Sequence, residues 1–265
     1  MLEITLFETR RRFRGIVYLS VALLAYAGLV VGLYPSISES ATDIQSYIES
    51  LPPEVSRAFV GDASWYTTIE GFLAAEMYQF VVLLLLGIYF AYAAASTVAG
   101  EVEDGSLDLL LSSPVSRTRI VVGKYLSMVP SMVALSLVLL AGTYVGVGLV
   151  GEEIDLVDLA RLHALVIPYL LACAAVGVLA SVYFDSARRA QMVGAGVVFG
   201  MFLVDAVTFD TDYEWIGDLA FARYLDTAEI LVESDVDWGG IAYLLVAAVV
   251  LVIVASEYFE RKDVS

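Results

Sequence analysis

Very few side chains in the apolar parts of this sequence could carry out chemistry. The 265-residue chain has a single histidine, His163, at the start of one apolar run, and a single cysteine, Cys173, inside it. Membrane metalloproteases need paired histidines, and thiolate zinc sites need several cysteines. An intramembrane serine protease needs a base beside its serine at membrane depth, and the many serines here lack one. We therefore predict no catalytic residue and no metal site.

The sequence also has few of the residues that ion-coupled or ATP-driven transport would need within this chain. An ion-coupled carrier usually needs ionisable residues at membrane depth, and three of the six apolar runs have none in their interiors. Glu76 and His163 lie near the ends of two other runs, where we expect interfacial side chains rather than members of a proton relay. The Gly123-Lys124 pair lacks the upstream glycine and the following Ser or Thr of a phosphate loop. The sequence thus predicts no nucleotide site in this chain.

The composition is typical of an integral membrane protein. Hydrophobic residues make up 60% of the chain and charged residues 17%, against about 25% charged residues in soluble domains. A bilayer core about 30 Å thick is crossed by roughly 20 apolar helical residues. We therefore predict an all-α integral membrane protein with six transmembrane helices. Their expected ranges are 15–34, 72–96, 125–150, 163–184, 190–208 and 239–256.

The basic residues predict the orientation of these spans, because short cytoplasmic loops retain Lys and Arg. Of 14 basic residues, all except Arg57, Arg161 and Arg223 flank the spans on one side, so both termini are predicted to be cytoplasmic. The basic segment before the first span is expected to form an interfacial helix that contacts membrane lipid. Acidic segments occupy the other side. Short outer helices are predicted at 37–62 and 213–236, and an acidic loop at 151–162.

The net charge restricts the partners and the environment. There are 31 acidic residues against 14 basic ones, which gives a formal net charge of −17. Such a surface is a poor partner for nucleic acid, which needs cationic side chains. It suits molar salt, where repulsion among carboxylates is screened. We expect a halophilic archaeal source, and an acidic cell-surface protein of an ordinary organism is the alternative.

One charged stretch interrupts the apolar sequence between the second and third spans. Residues 100–124 read GEVEDGSLDLLLSSPVSRTRIVVGK. Either Asp104 or Ser106 can cap a short helix, which must end before Pro114. Ser116 can cap the next helix, which continues into the third span. The apolar face of the short helix carries three leucines: Leu107, Leu110 and Leu111. The pattern predicts a helix lying across the cytoplasmic membrane surface, within residues 101–119.

This stretch resembles a segment of type-two ATP-binding-cassette (ABC) exporter permeases. Their pattern is Glu-x-Gly-Thr-Leu-Glu-x-Leu-Leu-Ser-x-Pro-Val-Ser-Arg, followed by Gly-Lys. The matching residues are Glu103, Gly105, Leu107, Leu110, Leu111, Ser112, Pro114, Val115, Ser116, Arg117, Gly123 and Lys124. Ser106 replaces the usual Thr, and Asp108 the usual Glu. The end of the chain, YFERKDV, is similar to the Phe-x-Arg-Arg-Asp ending of the family. Within the family, the chain resembles the permeases for multicopper-enzyme maturation, including the nitrous-oxide-reductase maturation permease.

The resemblance implies the membrane subunit of an ABC transporter in the cytoplasmic membrane. Such a subunit pairs with a second permease copy, identical or different, and binds cytoplasmic ATPase subunits, which hold the ATP and magnesium. The chain itself would need no cofactor. The implied contacts to the ATPase are Glu101, Glu103, Gly105, Ser106, Leu107, Asp108, Leu110, Leu111, Pro114, Ser116, Arg117 and Arg119. The implied outer gate between the fifth and sixth spans includes Ile216, Leu219, Tyr224 and Leu225.

Two other classes remain open on the residues alone. One is an ATP-independent secondary carrier or channel, which the absence of charges at membrane depth disfavours. The other is a membrane anchor that recruits a cytoplasmic protein without transport. No polar face of a span is periodic enough to identify a substrate, and the copper connection rests on the resemblance alone.

Overall fold

The computed structural model describes residues 2–38, 68–107, 116–209 and 211–262, with side chains from residue 12 onwards. Within these ranges the chain is helical and has no β-strand. The six predicted membrane-crossing helices are confirmed, since six helices are long and apolar enough to cross a bilayer. These spans are Arg12–Ser38, Ile69–Glu103, Arg117–Leu149, Leu156–Tyr183, Ala187–Thr208 and Trp238–Arg261.

Three spans are single helices with simple boundaries, and the first belongs to a longer helix. One α-helix runs over Leu2–Ser38, so no break separates the basic N-terminal segment from the first span. The fourth span begins at Leu156, earlier than the predicted start at 163. The Asp155 carboxylate explains the early start, because it accepts hydrogen bonds from the N–H groups of Val157 and Asp158, as an N-cap does. Most of the predicted acidic loop at 151–162 is therefore helix.

The second and third spans are composite. The second consists of Ile69–Leu73, a π-helix over Ala74–Leu86, and the α-helices Gly87–Ala95 and Ala99–Glu103. The third consists of Arg117–Leu126 and Val129–Leu149. Both spans are interrupted close to the loop that joins them. Apolar composition fixes the span, but it does not show such breaks.

The fourth span is the centre of the bundle. Its most apolar stretch is 78% buried, against 17% for that of the fifth span. It packs mainly on the second, fifth and sixth spans. The closest approach is at Gly177, where an added Cβ would lie 2.1 Å from the carbonyl oxygen of Ala91. Gly194 of the fifth span reaches the same crossing, where its added Cβ would lie 3.3 Å from the Gly177 Cα.

The first and third spans pack on each other through small residues as well. An added Cβ at Gly142 would lie 2.3 Å from Cδ2 of Leu24, and one at Gly146 would meet Val31 at 3.7 Å. By contrast, Gly196 and Gly200 have nothing within 4 Å of an added Cβ. The small residues of the third and fifth spans thus serve helix packing at some positions only.

The outer segment before the sixth span is irregular. It contains an α-helical turn at Glu214–Gly217, a 3₁₀-helix at Phe221–Tyr224 and a π-helical turn at Glu229–Glu233. Short outer helices were predicted at 213–236, and the structure has three short helical elements within this range. The other predicted outer helices, at 37–62, lie outside the described residues apart from residues 37 and 38.

Candidate functional site

The candidate site is the loop between the second and third spans together with the span ends around it, on the side predicted to be cytoplasmic. We call this region the inner junction and define it as residues 96–107, 116–128, 181–187, 259, 260 and 262. Two helical limbs leave it. The first limb is residues 99–107, and the second limb is residues 116–126.

The first limb ends in a glycine turn. Gly105 has a φ of +73°, which glycine adopts without strain just after the end of a helix. The carboxylate of Asp104 then accepts hydrogen bonds from both the N–H and the hydroxyl of Ser106, at 2.9 and 2.5 Å. Asp104 is therefore the residue that caps this turn. Gly105, the glycine of the family pattern, therefore follows the end of the helix Ala99–Glu103.

The second limb begins as predicted at Ser116, whose hydroxyl accepts a hydrogen bond from the N–H of Arg119 at 3.4 Å. The two limbs are joined by an ion pair. Nζ of Lys124 lies 2.5 Å from a carboxylate oxygen of Glu101, and the side chains are 2% and 15% exposed, respectively. This pair is shielded from water, so loss of one partner would leave an unpaired buried charge, which costs more than at the surface.

The second limb also binds the end of the sixth span. Nη1 of Arg117 donates to the carbonyl oxygen of Phe259 at 2.9 Å and also to that of Lys262. Its guanidinium carbon lies 5.4 Å from the centre of the Phe259 ring, within the range of a cation–π contact. Thr118 donates to the carboxylate of Glu260. Arg117 thus has partners within the chain.

Two further contacts join inner span ends, one between the sixth and fourth spans and one between the second and fifth. Nζ of Lys262 donates to the carbonyl oxygens of Val182 and Tyr183 and lies 2.6 Å from the carboxylate of Asp185. A cation at the carboxyl end of a helix is favourable. The carboxylate of Glu103 accepts from the N–H of Ala187 at 2.8 Å, and a carboxylate at the amino end of a helix is likewise favourable.

The structure divides the sequence-predicted contact residues into three groups. Glu101, Glu103, Leu107 and Arg117 are engaged within the chain, and Leu107 is fully buried in the core. Ser106 is partly exposed, while Gly105, Ser116 and Arg119 are exposed. The remaining predicted contacts lie outside the described residues. They are Asp108, Leu110, Leu111 and Pro114.

On the outer side, Arg223 is the centre of an electrostatic cluster. Its guanidinium bonds to the carboxylate of Glu214 and lies 3.5 Å from that of Asp218 and 3.7 Å from that of Asp205. Two of these carboxylates belong to the outer segment, and Asp205 belongs to the fifth span. Arg223 therefore fastens the outer segment to the fifth span. From the sequence, Arg223 was only one of three basic residues on the side opposite the others.

The four predicted gate residues differ in exposure. Leu219 is exposed, Ile216 is partly exposed and Leu225 is buried. The ring of Tyr224 lies 4.2 Å from the ring of Tyr243 in the sixth span, and burial raises the pKa of Tyr224.

Hydrogen bonds tie the rest of the outer segment to the fourth span. The hydroxyl of Ser234 donates to Asp158 at 2.6 Å, and Arg161 donates to the carbonyl oxygen of Ser234 at 3.0 Å. Nearby, Glu229 stands among other acids. Partial burial raises the pKa of Glu229, and the charges of Asp226 and Asp235 raise it further.

His163, which we expected to lie at the membrane interface, is buried against other spans. It is 3% exposed inside the fourth span. Its Nε2 lies 3.0 Å from the hydroxyl of Tyr78, and its Nδ1 lies 3.2 Å from that of Ser136. Apolar sequence around His163 gave no sign of these two partners, which come from the second and third spans. The arrangement resembles polar residues that hold membrane helices together.

The π-helical segment Ala74–Leu86 receives hydrogen bonds from three other parts of the chain. The hydroxyl of Tyr26 donates to the carbonyl oxygen of Glu76 at 3.1 Å, and that of Tyr169 to the carbonyl oxygen of Leu83. The hydroxyl of Thr227 donates to the carbonyl oxygen of Ala74 at 3.4 Å. These bonds fix the outer half of the second span to the first and fourth spans and to the outer segment.

No group of three or more His, Cys, Asp or Glu side chains is placed to hold a metal ion within the described residues.

Residues 7–264 match the family described as "ABC-2 family transporter protein". No curated protein shows significant similarity to the chain.

Proposed function

Because the chain belongs to the ABC-2 transporter family and is thus a membrane-embedded permease component of an ABC transporter, we propose that it is driven by separate cytoplasmic ATPase subunits. These subunits bind at residues 101–119. The observation that carries the proposal is the inner junction. It connects the loop between the second and third spans to the inner ends of the fourth, fifth and sixth spans.

Contacts within the inner junction favour transmission of force over simple anchoring. A displacement of the second limb pulls on the sixth span through Arg117 and Phe259. The sixth span in turn holds the fourth through Lys262. A displacement of the first limb reaches the fifth span through Glu103. A membrane anchor without transport would not need its loop tied to so many span ends.

The exposed residues of the loop supply the docking chemistry. Ser116 and Arg119 lie on the exposed surface of the second limb, and a charge-matched rim gives specificity to a protein interface. Glu101 and Arg117 contribute indirectly, since they hold the limbs in place. This reassigns two residues that the family resemblance offered as direct contacts.

The finer features of the transporter follow the family resemblance. The chain works with a second permease copy, exports its substrate, and opens outward at the segment around Arg223. The sequence resemblance to maturation permeases leads us to propose a role in multicopper-enzyme assembly. The acidic composition supports a halophilic source, where molar salt screens the carboxylates. ATP and magnesium are bound by the ATPase, and ordinary membrane lipid surrounds the spans.

The test is copurification of the full-length tagged chain from its native membrane. We expect an ABC ATPase in the eluate, and we expect Arg119→Glu to reduce its amount. Arg261→Glu is the matched control, because Arg261 is also on the inner side and its side chain is 82% exposed. Equal ATPase recovery with Arg119→Glu and Arg261→Glu would refute docking at the second limb. Absence of any ATPase from the wild-type eluate would refute the proposed function.

A further inference from the structure

Both spans that lead into the inner junction are interrupted at corresponding places. The second span stops being helical after Ala95 and resumes at Ala99, and the third stops after Leu126 and resumes at Val129. Pro130 explains the break in the third span, since proline has no N–H to bond to the carbonyl of Leu126. Each limb is thus separated from its span by a short turn at which the regular α-helical hydrogen bonding is interrupted.

Side chains stabilise both breaks, so the breaks are defined features of the fold. The hydroxyl oxygen of Ser181, from the fourth span, accepts hydrogen bonds from the N–H groups of Val98 and Ala99 at 2.8 and 3.0 Å. At the other break, the hydroxyl of Ser127 donates to the carbonyl oxygen of Lys124 at 2.6 Å. Backbone groups freed by an interruption must find such partners when they are buried.

The Glu101–Lys124 pair lies directly beyond these two breaks. Glu101 is within the first turn after the break in the second span, and Lys124 is in the last turn before the break in the third. Within the part of the chain that the structure describes, this is the one ion pair between the second and third spans. Its position joins the limbs to each other at the point where each could otherwise bend independently.

We infer that Glu101 and Lys124 are positioning residues that make the two limbs move as a single lever on the breaks at 96–98 and 127–128. The inference rests on the proposed function, because the lever receives its displacement from the ATPase. With the pair intact, movement of the loop turns both limbs together. Without it, each limb bends at its own break, and the movement is lost before it reaches the other span ends.

The experiment uses the full chain with its copurified ATPase in proteoliposomes. A fluorophore on Leu219→Cys reports movement of the outer segment, since Leu219 is exposed, and the native Cys173 is buried and spared from labelling. Two quantities are measured: ATP hydrolysis and the ATP-dependent fluorescence change. Their ratio is the coupling.

The variants are Lys124→Met, Glu101→Gln, their double variant, and the charge swap Glu101→Lys with Lys124→Glu. We expect the single and double variants to retain bound ATPase and ATP hydrolysis while coupling falls about fivefold or more. The swap should restore much of it. Glu257→Gln, which removes the exposed pair with Arg261, is the control and should leave coupling unchanged. The uncharged double variant avoids an unpaired buried charge, so it guards against simple misfolding.

The outcomes separate the inference from the proposed function. Unchanged coupling in the double variant with ATPase bound would overturn the inference alone. A swap that fails to restore coupling, in a protein that folds and binds ATPase, would also overturn it. If no ATPase copurifies with the wild type, both fail. Amide hydrogen exchange of the chain by itself adds a direct check, because exchange in both limbs should accelerate in the double variant.

Discussion

The tightest helix crossing in the protein provides a quantitative prediction. Gly177 of the fourth span faces the backbone of the second, where an added Cβ would lie 2.1 Å from the Ala91 carbonyl oxygen and 2.8 Å from Cβ of Ala94. A carbon and a carbonyl oxygen ordinarily stay about 3.3 Å apart. Gly177→Ala must therefore push the two spans apart by about 1.2 Å, the difference between these distances.

Backbone cannot move aside as a flexible side chain can, so the substitution should be costly. Overpacking of this kind costs about 1–3 kcal/mol, and a cost of about 2 kcal/mol lowers the melting temperature of a protein of this size by about 4–8 °C. The assay is thermal unfolding of the detergent-solubilised chain, followed by gel filtration of the soluble fraction.

Two matched glycines serve as controls for Gly177→Ala. At Gly142 the obstacle is the end of the Leu24 side chain, at 2.3 Å, and it can rotate away, so Gly142→Ala should cost less. At Gly196 nothing lies within 4 Å, and Gly196→Ala should stabilise the helix by about 0.5–1 kcal/mol. If Gly177→Ala is as stable as Gly196→Ala, the close crossing of the second and fourth spans is wrong.

Three other substitutions test separate contacts by the same thermal assay. Tyr169→Phe removes the hydrogen bond to the Leu83 carbonyl and should cost about 0.6–1.5 kcal/mol; no loss would mean that the π-helical segment does not need this donor. Arg223→Met leaves the Glu214 carboxylate without its cation and should cost about 1 kcal/mol at low salt, and less at high salt; a cost that salt does not change would contradict the electrostatic cluster. Because the pKa of Glu229 is raised above its ordinary value of 4.5, its charge destabilises the fold, so lowering the pH through the raised pKa towards 4.5 should stabilise the wild type. Glu229→Gln should lack the contribution of Glu229, so its stability should rise less than that of the wild type in that window; an identical pH profile for the two proteins would contradict the assignment.

The membrane architecture was predictable because it depends on local composition. Six apolar runs of sufficient length became six spans, and the capping oxygen of Ser116 marked the start of the third span. Basic residues such as Arg117 and Lys262 were correctly grouped on one side of the bundle, where they contact each other. Span length and charge bias are read from neighbouring residues alone, so a single sequence suffices.

The tertiary role of individual polar residues was not predictable. His163 looked interfacial because it stands at the edge of an apolar run, yet its partners come from two distant spans. Lys124 matched the family pattern, but the sequence did not indicate its partner. The structure shows that partner to be Glu101, whose carboxylate lies 2.5 Å from the ammonium group. Buried polar residues acquire partners through folding, and pairs far apart in sequence leave no periodic signal.

The most direct test of the central claim is site-specific photocrosslinking of the second limb in native membranes. A photoreactive residue at Arg119, on the exposed inner surface, should capture an ABC ATPase subunit identified by mass spectrometry. The same residue at Leu149, at the opposite end of the third span and 82% exposed, should capture none. Capture of the ATPase at Arg119 alone is the predicted result. No ATPase at Arg119, or equal capture at both positions, would contradict the account that this permease is driven through its inner junction.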